Sequence, residues 1–121
     1  MAKVLIGGNS KIRSKAYDST LSFTMVIDGS VLSRVMMPPF DVQIYVENRV
    51  ANQVHCTYDG ATAANCTISE AGGVVCFLPA NTFPVGGKLV MFLETKTPET
   101  GFADGIQNDG TLIDTGYIIH E

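Results

Sequence analysis

The strongest constraint in this sequence is a two-residue alternation of apolar and polar side chains, repeated in short runs that Gly, Pro and Asp-Gly steps cut apart. Successive side chains of a strand point to opposite faces, so this pattern specifies half-buried strands. Leu21, Phe23, Met25 and Ile27 alternate with Ser22, Thr24 and Asp28, and Asp28-Gly29 then supplies turn chemistry. Val42, Ile44 and Val46 alternate with Asp41, Gln43 and Glu47, and Pro38-Pro39 just upstream allows only an extended approach. Val54, Cys56 and Tyr58 form a third row opposite Gln53, His55 and Thr57. After Asp59-Gly60, Cys66 and Ile68 alternate with Asn65, Thr67 and Ser69, which reads as the return arm of a hairpin. Gly72-Gly73 breaks the chain before Val74–Leu78, and a last run, Leu112 to Ile119, is interrupted by Gly116. No window keeps helical spacing free of Gly, Pro or β-branched interruption. The expectation is an all-β fold, an antiparallel β-sandwich of about seven to eight short strands, with a barrel as the related alternative.

Two runs depart from the alternation. Val74–Leu78 and Leu89–Leu93 are apolar on both faces, whereas each strand of a two-layer sandwich turns one face to water. The second apolar row, Val75, Phe77, Val90 and Phe92, therefore needs a cover, from another segment of the chain or from a neighbouring subunit. These four residues are expected to form the interface of a homo-oligomer. The 121 residues fit one domain, 1–121, with an N-terminal strand or arm over 1–18. Charged residues make up 17%, below the usual ~25%, so less of the surface is committed to water.

The net charge of −4 argues against a nucleic-acid partner. The densest basic cluster, Lys11, Arg13 and Lys15, is too small for a phosphate-tracking stripe and reads as a solvated strand or arm. No stretch approaches the ~20 apolar residues of a membrane span, so no membrane partner is expected. Met1–Ile6 is shorter than a signal-peptide core, which predicts a chain made in a cytoplasm and not secreted, in which the sequon Asn65-Cys66-Thr67 is inert.

No common catalytic constellation appears. Cys56, Cys66 and Cys76 are ten residues apart, not at the short paired spacings of a zinc site, and read as small core residues on inward faces. A Cys56–Cys66 cross-strand disulfide stays open, depending on strand register. His55 adjoins Cys56 but points to the opposite face, and His120 stands beside the C-terminus, so neither histidine is placed to activate a nucleophile. Gly7-Gly8-Asn9-Ser10 lacks the Walker spacing. The expectation is therefore no enzyme, no catalytic residues and no cofactor. The most distinctive stretch, 97–110, offers Asp104, Asn108 and Asp109 as a candidate cation site, although its spacing does not fit an EF-hand loop. The competing reading is an ordered loop with Phe102 tucked against the core.

The run Gly86-Gly87-Lys88-Leu89-Val90-Met91-Phe92-Leu93-Glu94, then Thr97-Pro98, Phe102-Ala103-Asp104-Gly105 and Thr115-Gly116-Tyr117-Ile118-Ile119 resembles a small phage-associated β-sandwich. This is the domain at the N-terminus of baseplate upper proteins and in head-fibre proteins of phages infecting gut Bacteroides-type bacteria. The upstream order, Leu21–Ile27 with Asp28-Gly29, Phe40–Val46 and Tyr58-Asp59-Gly60, agrees, so the resemblance covers roughly Leu21 to Ile119. The chain departs from it at Ala103, where the family pattern has Pro, and at Pro38-Pro39. The resemblance implies a non-enzymatic virion part that assembles with itself, often as a trimer, and with other virion proteins. The rival from another class is a carbohydrate- or protein-binding β-sandwich module. Against it, the chain has no Trp, and Tyr17, Tyr45, Tyr58 and Tyr117 are scattered.

Overall fold

Each alternating run becomes a strand. The computed structural model describes residues 2–27 and 29–121, so Asp28 of the expected Asp28-Gly29 turn lies outside the described residues. Among the described residues the strands are β1 (Ala2–Ile6), β2 (Ser19–Ile27), β3 (Ser30–Val31), β4 (Phe40–Val46), β5 (Arg49–Tyr58), β6 (Ala63–Ala64), β7 (Cys66–Ile68), β8 (Val74–Leu78), β9 (Gly87–Pro98) and β10 (Ile106–Ile119). A single 3-10 turn, Arg34–Met36, precedes β4. The strands form two antiparallel sheets. One runs β1-β2-β8-β7, with β3 hairpinned onto β2, and the other runs β10-β9-β4-β5-β6. The all-β sandwich is the architecture of this chain.

The two sheets bury one row from each of their central strands. β2 contributes Leu21, Phe23 and Met25, β8 contributes Val74, Cys76 and Leu78, and β4 contributes Phe40, Val42, Ile44 and Val46. Val54, Cys56 and Tyr58 of β5 and Leu89, Met91 and Leu93 of β9 lie in the same sheet as β4, and together these rows face those of β2 and β8. Phe23 of one sheet meets Phe40 of the other edge-on at 6.2 Å between ring centres, and Phe40 also touches Tyr58 at 5.8 Å. The edge-to-face geometry sets the positive rim of one ring against the negative face of the next. β4 is clamped on both sides: Ile44 pairs with Val54 of β5 and with Met91 of β9.

The N-terminal segment divides in two. β1 pairs with β2, and beyond it the chain crosses the sandwich edge irregularly, tied by single bridges from Lys11 to Thr20 and from Ser14 to His120.

The stretch 97–110 is mostly not a loop. β9 continues to Pro98 and β10 begins at Ile106, leaving only residues 99–105 for the turn. Because β4 stops pairing with β9 at Thr95, the distal part of this hairpin is a two-stranded arm beyond the end of the sandwich. Phe102 at its tip is 53% exposed, so the expected tuck against the core does not occur. No third strand flanks it there to receive the ring.

Met91→Ala, a fully buried change at the centre of the second sheet, should cost about 2–5 kcal/mol through lost transfer energy and a residual cavity. Val35→Ala, at a side chain 90% exposed, should stay within about 0.5 kcal/mol. Urea unfolding of the two variants measures the contrast.

Candidate functional surfaces

The three cysteines converge in the core. Cys66 stands directly opposite Cys76 on neighbouring strands. The Phe77 N–H donates to the Asn65 carbonyl at 3.1 Å, so 65/77 is a hydrogen-bonded pair and 66/76 a closely spaced non-hydrogen-bonded one. Cys56 comes from the other sheet, where it pairs with Val42. The Cys56 thiol donates to the Asn65 carbonyl at 3.2 Å and the Cys66 thiol to the Thr57 carbonyl at 3.8 Å. All three thiols are free and buried. The Cys56–Cys66 pairing left open by the sequence is not present, because the strand partner of Cys66 is Cys76. Burial, and secondarily the neighbouring Cys56, push the Cys66 thiol up to about 11. A hydrogen bond with Cys56, then burial, then the two neighbouring thiols hold Cys76 well above the ordinary thiol range. Raised thiol pKa values mean scarce thiolate, so these groups act as packing atoms.

His55 lies on the outer face of the second sheet, opposite to Cys56, as alternation requires. Its Nδ1 is 3.7 Å from Asp41 Oδ1, and its Nε2 is 2.8 Å from Gln53 Nε2. Ser14 and Lys15 tie His120 to the N-terminal segment, the Lys15 N–H donating to the His120 carbonyl at 2.6 Å.

The candidate cation residues do not converge. Asp104 uses its Oδ1 to accept the Ile106 N–H at 3.1 Å, closing the turn at the arm's tip. Asn108 and Asp109 are consecutive on β10 and so point to opposite faces, where Asp109 accepts from Gln107 Nε2 at 3.3 Å. Among the described residues no group of three or more His, Cys, Asp or Glu could hold a metal ion. The ordered-turn reading fits Asp104.

The four expected interface residues are split between the two outsides of the sandwich. Val75 and Phe77 face outward from β8, and Val90 and Phe92 face outward from β9 in the other sheet. One contact cannot engage all four. Val90 is already 8% exposed within the single chain, and the Phe92 ring lies over Gly110, where an added Cβ would stand 2.7 Å from Cζ. Phe77 is 44% exposed. It floors a groove of about 360 Å3 with Thr20, Lys11 and Arg13, where Arg13 also stacks over the exposed Tyr17 ring at 4.5 Å. Tyr58 is core and the Tyr117 hydroxyl donates to the Gly7 carbonyl at 3.3 Å, so the tyrosines do not form a shared platform.

Sequence reasoning missed the outward row of β10, where Ile106 is 43% and Leu112 64% exposed. The two-residue spacing from Ile106 through Leu112 was present but diluted by Asn108 and Gly110.

These features define a two-sheet β-sandwich whose distinguishing parts are its outer surfaces and edges. No family model matches the chain, and no curated protein matches it. A solved structure, MtrC from Shewanella baltica OS185, is similar over 93% of this chain with a TM-score of 0.58 at 14% identity. The match covers 22% of that protein's chain, so the likeness is one of fold over a small part of a much longer protein.

Burial of the Cys66 thiol gives stability an alkaline pH dependence. Cys66 moves from an ordinary 9.0 to about 11 on folding, so its contribution is complete below pH 9. As the pH climbs from 9 towards 11 the unfolded chain loses its proton first, and stability falls. Urea midpoints across that range should decline, and Cys66→Ala should flatten part of the slope.

Proposed function

We propose that this chain is a non-enzymatic structural part of a phage or prophage particle, an adaptor of the head-fibre or baseplate type that assembles with copies of itself and joins other virion proteins. The observation that carries this reading is the apolar surface left on ordered elements. Leu112 is 64%, Ile118 52%, Val35 90% and Met36 69% exposed on strands or on the turn entering β4. Exposed apolar surface on a rigid scaffold marks association when it is contiguous with other apolar groups, as exposed Leu112 is with the half-buried Phe92 across the β9–β10 ladder. The sequence resemblance to phage head-fibre and baseplate domains supports the same reading, in which the protein resides in the virion. The proposed role involves no nucleic acid, membrane or cofactor.

A second reading, a carbohydrate- or protein-binding module, is favoured by the groove around Phe77. Its volume of about 360 Å3 lies within the usual range for small-ligand sites, and Lys11 and Arg13 rim an apolar floor. Saturable calorimetric binding of a glycan by the isolated chain, lost in Phe77→Ala, would favour it.

Light scattering on the purified chain, coupled to size exclusion, should give a closed oligomer of the 13.0 kDa subunit. Peptides of the chain should also appear at fixed stoichiometry in density-purified particles from its host. A chain that is monomeric at high concentration and absent from particles would overturn the virion reading.

A further inference from the structure

The hydrogen-bond parity of the second sheet exposes an unguarded edge. β9 serves two neighbours. The Lys96 N–H donates to the Pro39 carbonyl at 2.9 Å and the Glu47 N–H to the Lys88 carbonyl at 2.9 Å, so the even residues of β9 turn towards β4. The Glu99 N–H donates to the Gly105 carbonyl at 2.8 Å, continuing the β9–β10 register on odd residues. In an antiparallel ladder the residues between these pairs point their backbone groups the other way. The N–H and C=O groups of Ile106, Asn108, Gly110, Leu112 and Asp114 therefore face the outer edge, where β10 pairs with nothing among the described residues. Further along, the edge is occupied by the chain itself, through the bridge from Ser14 to His120.

Natural sheets guard such edges with lysine, proline or very short strands. The span from Ile106 to Asp114 has no lysine and no proline, its only charges are the carboxylates of Asp109 and Asp114, and it is nine residues long. An extended strand can pair with it, and a second copy of the same strand is self-complementary to it. With a two-fold axis at Gly110, residue 106 pairs with 114, 108 with 112, and 110 with itself. Asn108, Gly110 and Leu112 then exchange both of their bonds, while at the 106/114 pair the Ile106 N–H stays with Asp104 Oδ1 and its C=O accepts from the Asp114 N–H. The axis falls on the one residue of the five with no side chain. Asp114 meets Ile106 and Asp109 meets Thr111, so no carboxylate opposes another. Leu112 and Ile106 of the partner become diagonal neighbours on the outer face, which covers two of the exposed apolar side chains.

We propose that the β10 edge, Ile106–Asp114, is the self-association surface, pairing antiparallel with the same strand of a second copy to join two five-stranded sheets into one. This rests on the self-assembly part of the function proposed above. An isologous contact closes at two copies, so this edge builds a dimer and not the trimer that the family resemblance implies.

Proline separates the edge from the ladder. Leu112→Pro removes an N–H that bonds nothing within the subunit, whereas Thr111→Pro removes one that bonds β9. The wild-type chain should show twice the subunit mass by light scattering. Leu112→Pro should halve that mass while leaving the circular dichroism and melting curve near wild type, and Thr111→Pro should melt markedly lower. Asn108→Pro, out on the arm, repeats the test if Leu112→Pro fails to fold. The register is checked by Asn108→Cys with Leu112→Cys in one chain, which should give a covalent dimer on air oxidation. A wild-type monomer overturns the proposal together with the self-assembly reading. A wild-type oligomer whose mass survives both edge prolines, a trimer included, overturns the edge proposal alone.

Discussion

Everything in this domain follows from the contact between two inner faces, and that contact is centred on Phe23 and Phe40, one ring from each sheet. Once those rings are inward, a one-residue slip in β2 or β4 would send every core side chain of that strand to solvent. The register of the central strands is therefore fixed by burial. So is the assignment of every other side chain to the outside. His55 cannot reach Cys56, and Asn108 cannot join Asp109, for the same reason: neighbours on a strand are separated by the sheet itself. The alternation that builds the core also disperses polar groups, and the histidines and carboxylates of the outer faces stay scattered as a result.

How much of this was legible in the sequence depended on burial. Strands with one buried face announced themselves. Leu21 to Ile27, Val42 to Val46 and Val54 to Tyr58 lie on strands as their alternation required. The outer rows were readable as outward: Val75, Phe77, Val90 and Phe92 do leave the core, but the sequence carries no signal that β8 and β9 belong to different sheets. The distal hairpin was illegible for a related reason. Its strands have little to bury on either side, so their two-residue spacing is thinned by Asn108 and Gly110, and Asp and Gly signals typical of loops dominate 97–110. Tight turns depended on backbone conformations that composition hints at only weakly. Asn48 at φ 61°, in the two-residue connection between β4 and β5, is an example.

The edges show how the fold manages unpaired backbone. β3 and β6 have two residues each and β7 three, so they offer too little edge to recruit another strand. The first sheet ends at β7 on one side, where the chain crosses directly from β6 of the other sheet. The second sheet is closed over by the N-terminal segment near His120. Among the described residues β5 also leaves an open edge over 49–56, because β6 pairs only with Thr57 and Tyr58; the span from Ile106 to Asp114 is the longer, at nine residues, with Asp109 and Asp114 its only charges.

That open span holds its shape because its other end is fixed. A two-stranded ribbon by itself is marginal in water, and the arm beyond Thr95 has no third strand to stiffen it. β10 is instead anchored at its far end. The Thr115 hydroxyl donates to the Leu89 carbonyl at 2.8 Å, closing the bulge between Asp114 and Ile118. Beyond the bulge the Tyr117 hydroxyl reaches the Gly7 carbonyl, and Ile119 is buried in the core. Lys88 and Asp114 add an exposed ion pair at 3.2 Å beside the same bulge. There, the Gly116 N–H and then Lys88 hold the Asp114 carboxyl below its ordinary range. These contacts decide which residues of β10 face β9, and by parity which backbone groups face outward all the way to Ile106. The lock that ties the C-terminal strand to the sandwich thus also aims its free edge.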